Sequence, residues 1–177
     1  MNYHNITYPD MNNGDGLRVV LWLSGCSHHC YNCQNPQTWD ANSGIPFDES
    51  AKEELFRELG KDYISGLTLS GGDPLFESNL DGVLDLVNEI RLLYPTKTIW
   101  IYSGYRWSEI FNDGVYLTRD CAGWKRREIV KKCDVMIDGK YIDSQRDISL
   151  PYRGSKNQRI IDCQQSMQKG EIILWKC

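Results

Sequence analysis

Cys26, Cys30 and Cys33 form a C-x3-C-x2-C array within residues 25–35, Gly-Cys-Ser-His-His-Cys-Tyr-Asn-Cys-Gln-Asn. Three thiols this close in sequence can serve one centre if the loop wraps around it. Cysteine thiolates are the usual ligands of a cubic iron–sulfur cluster. Such a cluster has four irons, so three cysteines leave one iron without a protein ligand. That open iron can bind a substrate or cofactor directly. A structural zinc site usually takes two C-x2-C pairs, or one pair with two downstream histidines. The second pair is absent here, and His28 and His29 lie inside the loop, badly placed to reach a metal held by its flanks. Zinc remains a second reading. A disulfide framework is a weaker one, because seven cysteines is an odd number and residues 1–5 lack the charged and apolar regions of a secretory leader.

A loop of this kind needs a rigid support. Residues 18–24 are an apolar run with β-branched and aromatic members, the pattern of a strand buried on both faces of a parallel sheet. The cysteines follow its C-terminal end, where βα architectures build active sites. Residues 64–70 predict a second strand, running into Gly71-Gly72-Asp73-Pro74. Residues 98–103 predict a third, ending at Gly104-Tyr105, and 135–138 a fourth, closed by Gly139. Helices are expected between them. Ser50-x-x-Glu53 suggests a capping box for a helix over 51–59, ended by Gly60. Leu80, Val83, Leu84, Val87 and Ile90 share one face of a helix over 79–94 that Pro95 stops. Residues 124–132 read as helical, 106–111 as a short helix and 112–114 as a turn. Residues 159–163 and 172–175 are candidate late strands, and 1–17 an irregular lead-in with turn residues at 12–16. Alternating strands and helices argue for an α/β fold with mostly parallel strands. The chain is a single domain over 1–177, too short for eight βα units of about 250 residues, so a partial, open barrel is expected.

Other residues could meet a ligand at the open iron. Gly71 and Gly72 would let the backbone approach closely, and Asp73 could accept a hydrogen bond from a ligand ammonium. An ordinary βα turn with a carboxylate near a helix start is the plainer alternative. Tyr102-Ser103-Gly104-Tyr105 could meet a nucleoside or simply pack under a loop. Asp138-Gly139 ends the fourth strand in the same way. Arg153-Gly154-Ser155 and Asn157-Gln158-Arg159 either line the open side of the barrel or form a solvated loop. Cys121, Cys133, Cys163 and Cys177 show no ligand spacing and read as incidental or buried thiols. Lys125, Arg126, Arg127, Lys131 and Lys132 make a basic helix, either a solvated face or a dock for an acidic partner. The net charge of −4 gives no global pull toward nucleic acid, and no apolar run is long enough for a membrane span. Cysteine richness without a leader suggests a reducing cytoplasm.

Together these motifs resemble the radical S-adenosylmethionine enzymes. More closely, they resemble the activating proteins of anaerobic (class III) ribonucleoside-triphosphate reductases. The likeness runs through Met1-Asn2-Tyr3, Asn13-Gly14-x-Gly16-x-Arg18, Ser24-Gly25-Cys26, Asn35 with Thr38-Trp39, and Ser70-Gly71-Gly72-Asp73-Pro74-Leu75. It continues through Ile99-Trp100, Gly104-Tyr105, Ile137-Asp138-Gly139-Lys140 and Arg153-Gly154-Ser155-x-Asn157-Gln158. Asn32 stands where that subfamily has glycine, and residues 114–124 look inserted. The resemblance implies the radical S-adenosylmethionine type of open barrel. It implies a 4Fe-4S cluster on Cys26, Cys30 and Cys33, with S-adenosylmethionine held by Asn32, Cys33, Gln34, Gly71, Gly72, Asp73 and Ser103. It also implies reductive cleavage to methionine and a 5′-deoxyadenosyl radical, which takes hydrogen from a glycine of the large reductase subunit. The electron would come from reduced flavodoxin or a similar donor. Asn35-Pro36-x-Thr38-Trp39-Asp40 also resembles the pyruvate formate-lyase type of activase. That activase and a non-catalytic zinc-binding module are the alternatives.

Overall fold

The structure, a computed structural model, describes residues 1–111 and 121–176. Seven strands form one sheet: β1 (Asn2–Asp10), β2 (Leu17–Leu23), β3 (Ile45–Pro46), β4 (Ile64–Gly71), β5 (Thr98–Ser103), β6 (Val135–Asp138) and β7 (Arg159–Asp162), in the order β3-β1-β2-β4-β5-β6-β7. The central strands β2, β4, β5 and β6 are parallel. β1 is antiparallel to both β2 and β3, and β7 to β6. β3 therefore runs with the central four, so most strands share one direction. β3 and β7 stand at the two edges, and the sheet is open.

The expected lead-in is instead the nine-residue strand β1. Its register with β2 shifts between Tyr3 and Asn5. An irregularity of that kind breaks the alternation by which a strand is read from sequence. The first candidate late strand is β7. The second, around 172–175, meets β7 at the Ile161–Leu174 bridge, with Asp162 N–H donating to the Ile173 carbonyl and Trp175 N–H to that of Ile160, both at 2.9 Å.

The helices are α1 (Glu49–Leu59), α2 (Leu80–Leu93), α3 (Trp107–Ile110), α4 (Ala122–Lys131) and α5 (Cys163–Lys169). The expected turn at 112–114 lies outside the described residues. α1 begins earlier than the capping box suggested, because the Asp48 carboxylate accepts from Ala51 N–H at 3.0 Å and so takes the cap. The two faces of the sheet differ as strand alternation requires. Val19, Leu21, Leu23, Leu67, Leu69, Ile99, Ile101 and Met136 join the core beneath α1, α2 and α4. Trp100, Val135, Ile137 and Ile160 lie on the opposite face, covered by Tyr152 and Trp175. Among the described residues no helix is long and apolar enough to cross a membrane.

Arg18 is buried on that second face with no carboxylate among the described residues in hydrogen-bond contact. Its guanidinium donates to Thr68 Oγ1 (2.7 Å), Thr98 Oγ1 (2.9 Å) and the carbonyls of Asp15, Leu67 and Thr98 (3.0, 2.7 and 3.1 Å), and lies 5.3 Å from the Trp100 ring centroid. Burial lowers its pKa to about 10, so it remains a cation at neutral pH. Removing it strands several acceptors at once, each worth roughly 1–3 kcal/mol. Arg18→Met is expected to lower stability by about 3 kcal/mol or more by that arithmetic, measured by urea denaturation.

The basic helix is not a free cationic face. Arg126 donates to the Leu75 carbonyl and to Tyr105 Oη (2.9 and 3.0 Å) and lies over the Tyr105 ring. Lys125 pairs with Asp81, Lys131 with Glu128, and Arg127 donates to the Ile110 carbonyl. Lys125, Arg126 and Arg127 tie α4 to its surroundings, while Lys131 pairs within the helix.

Candidate cofactor site

The site begins where β2 ends. Gly25 has φ +94°, which lets the chain leave the strand sharply. Gly25 N–H then donates to the Thr38 carbonyl (2.7 Å) and Cys26 N–H to that of Trp39 (3.0 Å), so the base of the cysteine loop is clamped to a 3-10 turn at Pro36–Thr38. Within the loop His29 and Asn32 have φ of 45° and 52°, and Cys33 N–H returns to the Cys30 carbonyl at 3.1 Å. These turns bring Cys26, Cys30 and Cys33 to one cavity of about 440 Å³, all three half-buried and unpaired.

The same cavity is lined by Gln34, Gly71, Gly72, Asp73, Ser103 and Arg153. β4 delivers the glycines against β2. Gly72 N–H donates to the Leu23 carbonyl and Asp73 N–H to that of Gly25, both at 2.7 Å. A Cβ on Gly72 would stand 2.5 Å from the Gly25 carbonyl oxygen, so only glycine fits. Asn79 closes the underside by donating to the Ser24 and Asp73 carbonyls at 2.7 and 3.1 Å.

Most of the site residues read from the sequence line this cavity. Asn32 is exposed and lies outside the cavity lining; its φ shows that it serves the turn. The Asp73 carboxylate, expected to take a ligand ammonium, already accepts from His28, Leu75, Ser103 and Gly104. Ser103 spends its hydroxyl proton on Asp73 while accepting from Tyr105 N–H at 3.1 Å. Asp138, at the end of β6, is likewise internal: it accepts from Arg159 and from Trp107 N–H. His28, Trp39, Lys140 and Tyr141 line the cavity without having been singled out for it. Nothing in local spacing marks them; the Asp73 partner of His28, for example, lies 45 positions along the chain.

Burial pushes the Cys26 thiol up to about 11 and raises that of Cys30, against the pull of nearby backbone N–H groups. Two residues of the lining, Trp39 and Arg153, each carry a buried N–H (Nε1 and Nε) with no acceptor among the described residues. Among the described residues no three His, Cys, Asp or Glu side chains are grouped so as to share a single metal ion. Three unpaired thiols on one wide cavity suit a sulfur-ligated cluster with room beside it for a polar ligand. The remaining cysteines stand apart. Cys121 caps α4, Cys133 and Cys163 are fully buried, and Cys177 lies outside the described residues, as does most of the apparent insertion.

A family model described as a 4Fe-4S single cluster domain matches residues 12–161. The anaerobic ribonucleoside-triphosphate reductase-activating protein of Enterobacteria phage T4 is 41% identical over 160 residues, covering 90% of this chain and 93% of that protein. The protein of the same name from Escherichia coli (strain K12) is 38% identical, covering 89% and 96%. That from Haemophilus influenzae is 37% identical, covering 90% and 97%.

Proposed function

This chain belongs to the family of anaerobic ribonucleoside-triphosphate reductase-activating proteins, and on that footing we propose that it generates the glycyl radical of such a reductase by radical S-adenosylmethionine chemistry. The observation that carries this reading is the convergence of Cys26, Cys30 and Cys33 with Gly71 and Gly72 on one cavity. A 4Fe-4S cluster on the three cysteines would supply one electron to the sulfonium of S-adenosylmethionine, giving methionine and a 5′-deoxyadenosyl radical that becomes 5′-deoxyadenosine on taking a hydrogen atom from the reductase glycine. The hard chemistry is the cofactor's; the protein binds, orients and excludes water.

Each residue then has a task. The three thiolates hold the cluster. Gly71 and Gly72 present bare backbone to the ligand, and Gln34 and Ser103 border the space left for its nucleoside. Arg153, on the cavity lining, provides the cation for its carboxylate. The open sheet, read as a partial barrel, leaves the cavity accessible to a loop of the large subunit. Reduced flavodoxin or a similar cytoplasmic donor supplies the electron.

Anaerobic reconstitution is the test. Iron and sulfide should bind, dithionite should drive formation of 5′-deoxyadenosine, and mixing with the reductase should give a glycyl radical by electron paramagnetic resonance. Zinc binding without iron and sulfide, or a radical on a pyruvate formate-lyase but not on the reductase, would overturn the reading. Arg153→Ala should weaken S-adenosylmethionine binding by roughly 10- to 150-fold, the loss of one charged hydrogen bond, measured by equilibrium dialysis on the loaded protein. Arg153→Lys should recover part of it.

A further inference from the structure

The Asp73 carboxylate is 2% exposed and the His28 side chain 8%. His28 Nε2 meets Asp73 Oδ2 at 2.7 Å. Gly104 N–H donates to the same oxygen at 3.0 Å, Leu75 N–H donates to Oδ1 at 2.8 Å, and Ser103 Oγ spans both at 2.9 and 3.0 Å. A carboxylate offers about four acceptor positions, and all are taken. It has none left for a ligand ammonium unless an internal bond breaks.

His28 sits midway between Cys26 and Cys30, yet its ring is fixed entirely by residues outside the loop. It packs edge-on against Tyr105, centroids 4.8 Å apart, and Tyr105 is held in turn by Arg126 of α4. A Cβ on Gly104 would lie 2.2 Å from the His28 ring, so the end of β5 is shaped to receive it. Asp73 thus joins three things: the cysteine loop through His28, the end of β5 through Ser103 and Gly104, and the start of the next turn through Leu75.

We infer that Asp73 and His28 are a positioning pair, which pins the cysteine loop to the ends of β4 and β5 and acts on the cluster only through that loop, without contact between Asp73 and S-adenosylmethionine. The inference rests on the cluster reading above. The loop's other ties are its clamped base, the Cys30–Cys33 turn, the His29–Trp39 ring contact at 4.8 Å and a backbone N–H of Tyr141 at the Cys30 thiol; His28 is the side chain that fixes it to the ends of β4 and β5. Partners that orient metal ligands from outside the ligand set are typically worth 10–100-fold in metal affinity.

The test uses His28→Ala, His28→Gln, Asp73→Asn and the double variant of His28→Ala with Asp73→Asn, all reconstituted anaerobically. The readouts are iron release to a chelator, the resonance spectrum of the reduced cluster with and without S-adenosylmethionine, and hydrogen exchange of residues 26–33 in the metal-free protein. His28→Ala and Asp73→Asn should each speed iron release by about tenfold or more and raise exchange in the loop. The double variant should be no worse than the worse single one. Glutamine can place a donor where Nε2 stands, so His28→Gln should restore most of the retention. Cluster that remains should still change its spectrum when S-adenosylmethionine is added. Wild-type iron release in His28→Ala would overturn the pair. So would loss of the S-adenosylmethionine-induced change in Asp73→Asn alone, which would make Asp73 a ligand contact. If Asp73→Asn fails to fold, the His28 variants decide by themselves. A wild-type chain that takes up no cluster would sink the parent reading, while loop exchange in the metal-free protein would still report on the pair.

Discussion

Cys30→Ala is expected to abolish both cluster retention and S-adenosylmethionine cleavage. Cys30 is one of three thiols on the cavity wall and sits at the turn that returns Cys33 to it. A cluster with three protein ligands and one open iron cannot lose a thiolate and keep both its hold and its geometry. The cost should exceed the roughly 10–100-fold that loss of a mere outer partner brings. Iron content after gel filtration and 5′-deoxyadenosine formed after reduction are the measurements. Cys133→Ala is the matched comparison. Cys133 is fully buried, gives its thiol to the Ile129 carbonyl at 3.3 Å and lies outside the cavity lining, so that variant should keep its iron. Full cleavage by Cys30→Ala would refute the ligand assignment.

Gly72→Ala should be nearly as damaging with no thiol touched. The added methyl would stand 2.5 Å from the Gly25 carbonyl oxygen and 3.0 Å from that of Thr38. Both are backbone atoms at the clamped base of the cysteine loop, so neither can swing aside as a side chain would. Relief must come from shifting the loop off β4, which displaces Cys26 first. Overpacking of this kind typically costs about 1–3 kcal/mol, and here the strain falls on the ligand loop. Cluster retention should drop together with thermal stability. Gly170→Ala offers a control: that glycine has φ +70° but nothing within 4 Å of its Cβ, so it should lose about a kilocalorie of stability from backbone strain and hold its iron like wild type.

The sequence carried the parallel centre of the sheet and the thiol array because both signals are local. β2, β4, β5 and β6 are short apolar runs closed by glycine or serine, and the cysteines declare themselves by spacing. β1 escaped notice because only Tyr3 and Ile6 are buried and its register is broken between them. The start of α1 moved because Asp48 outcompetes Ser50 for the cap. The basic helix read as a surface because nothing local reveals that Arg126 reaches Leu75 and Tyr105. From the sequence His28 reads only as a residue inside the loop for the same reason, since its acceptor is 45 positions away. Patterns of period two or 3.6 report burial; they do not report which buried polar atoms face each other.

Trp175 fastens distant stretches of chain to one another. Its indole N–H donates to Asp15 Oδ2 at 2.8 Å across 160 positions, and its ring lies 5.8 Å from that of Trp100. Trp100 in turn shelters the Arg18 guanidinium. A chain cut before Trp175 would uncover the Trp100 ring and leave Asp15 Oδ2 without this donor, so the damage would fall on the packing around Arg18 before it reached the cysteines.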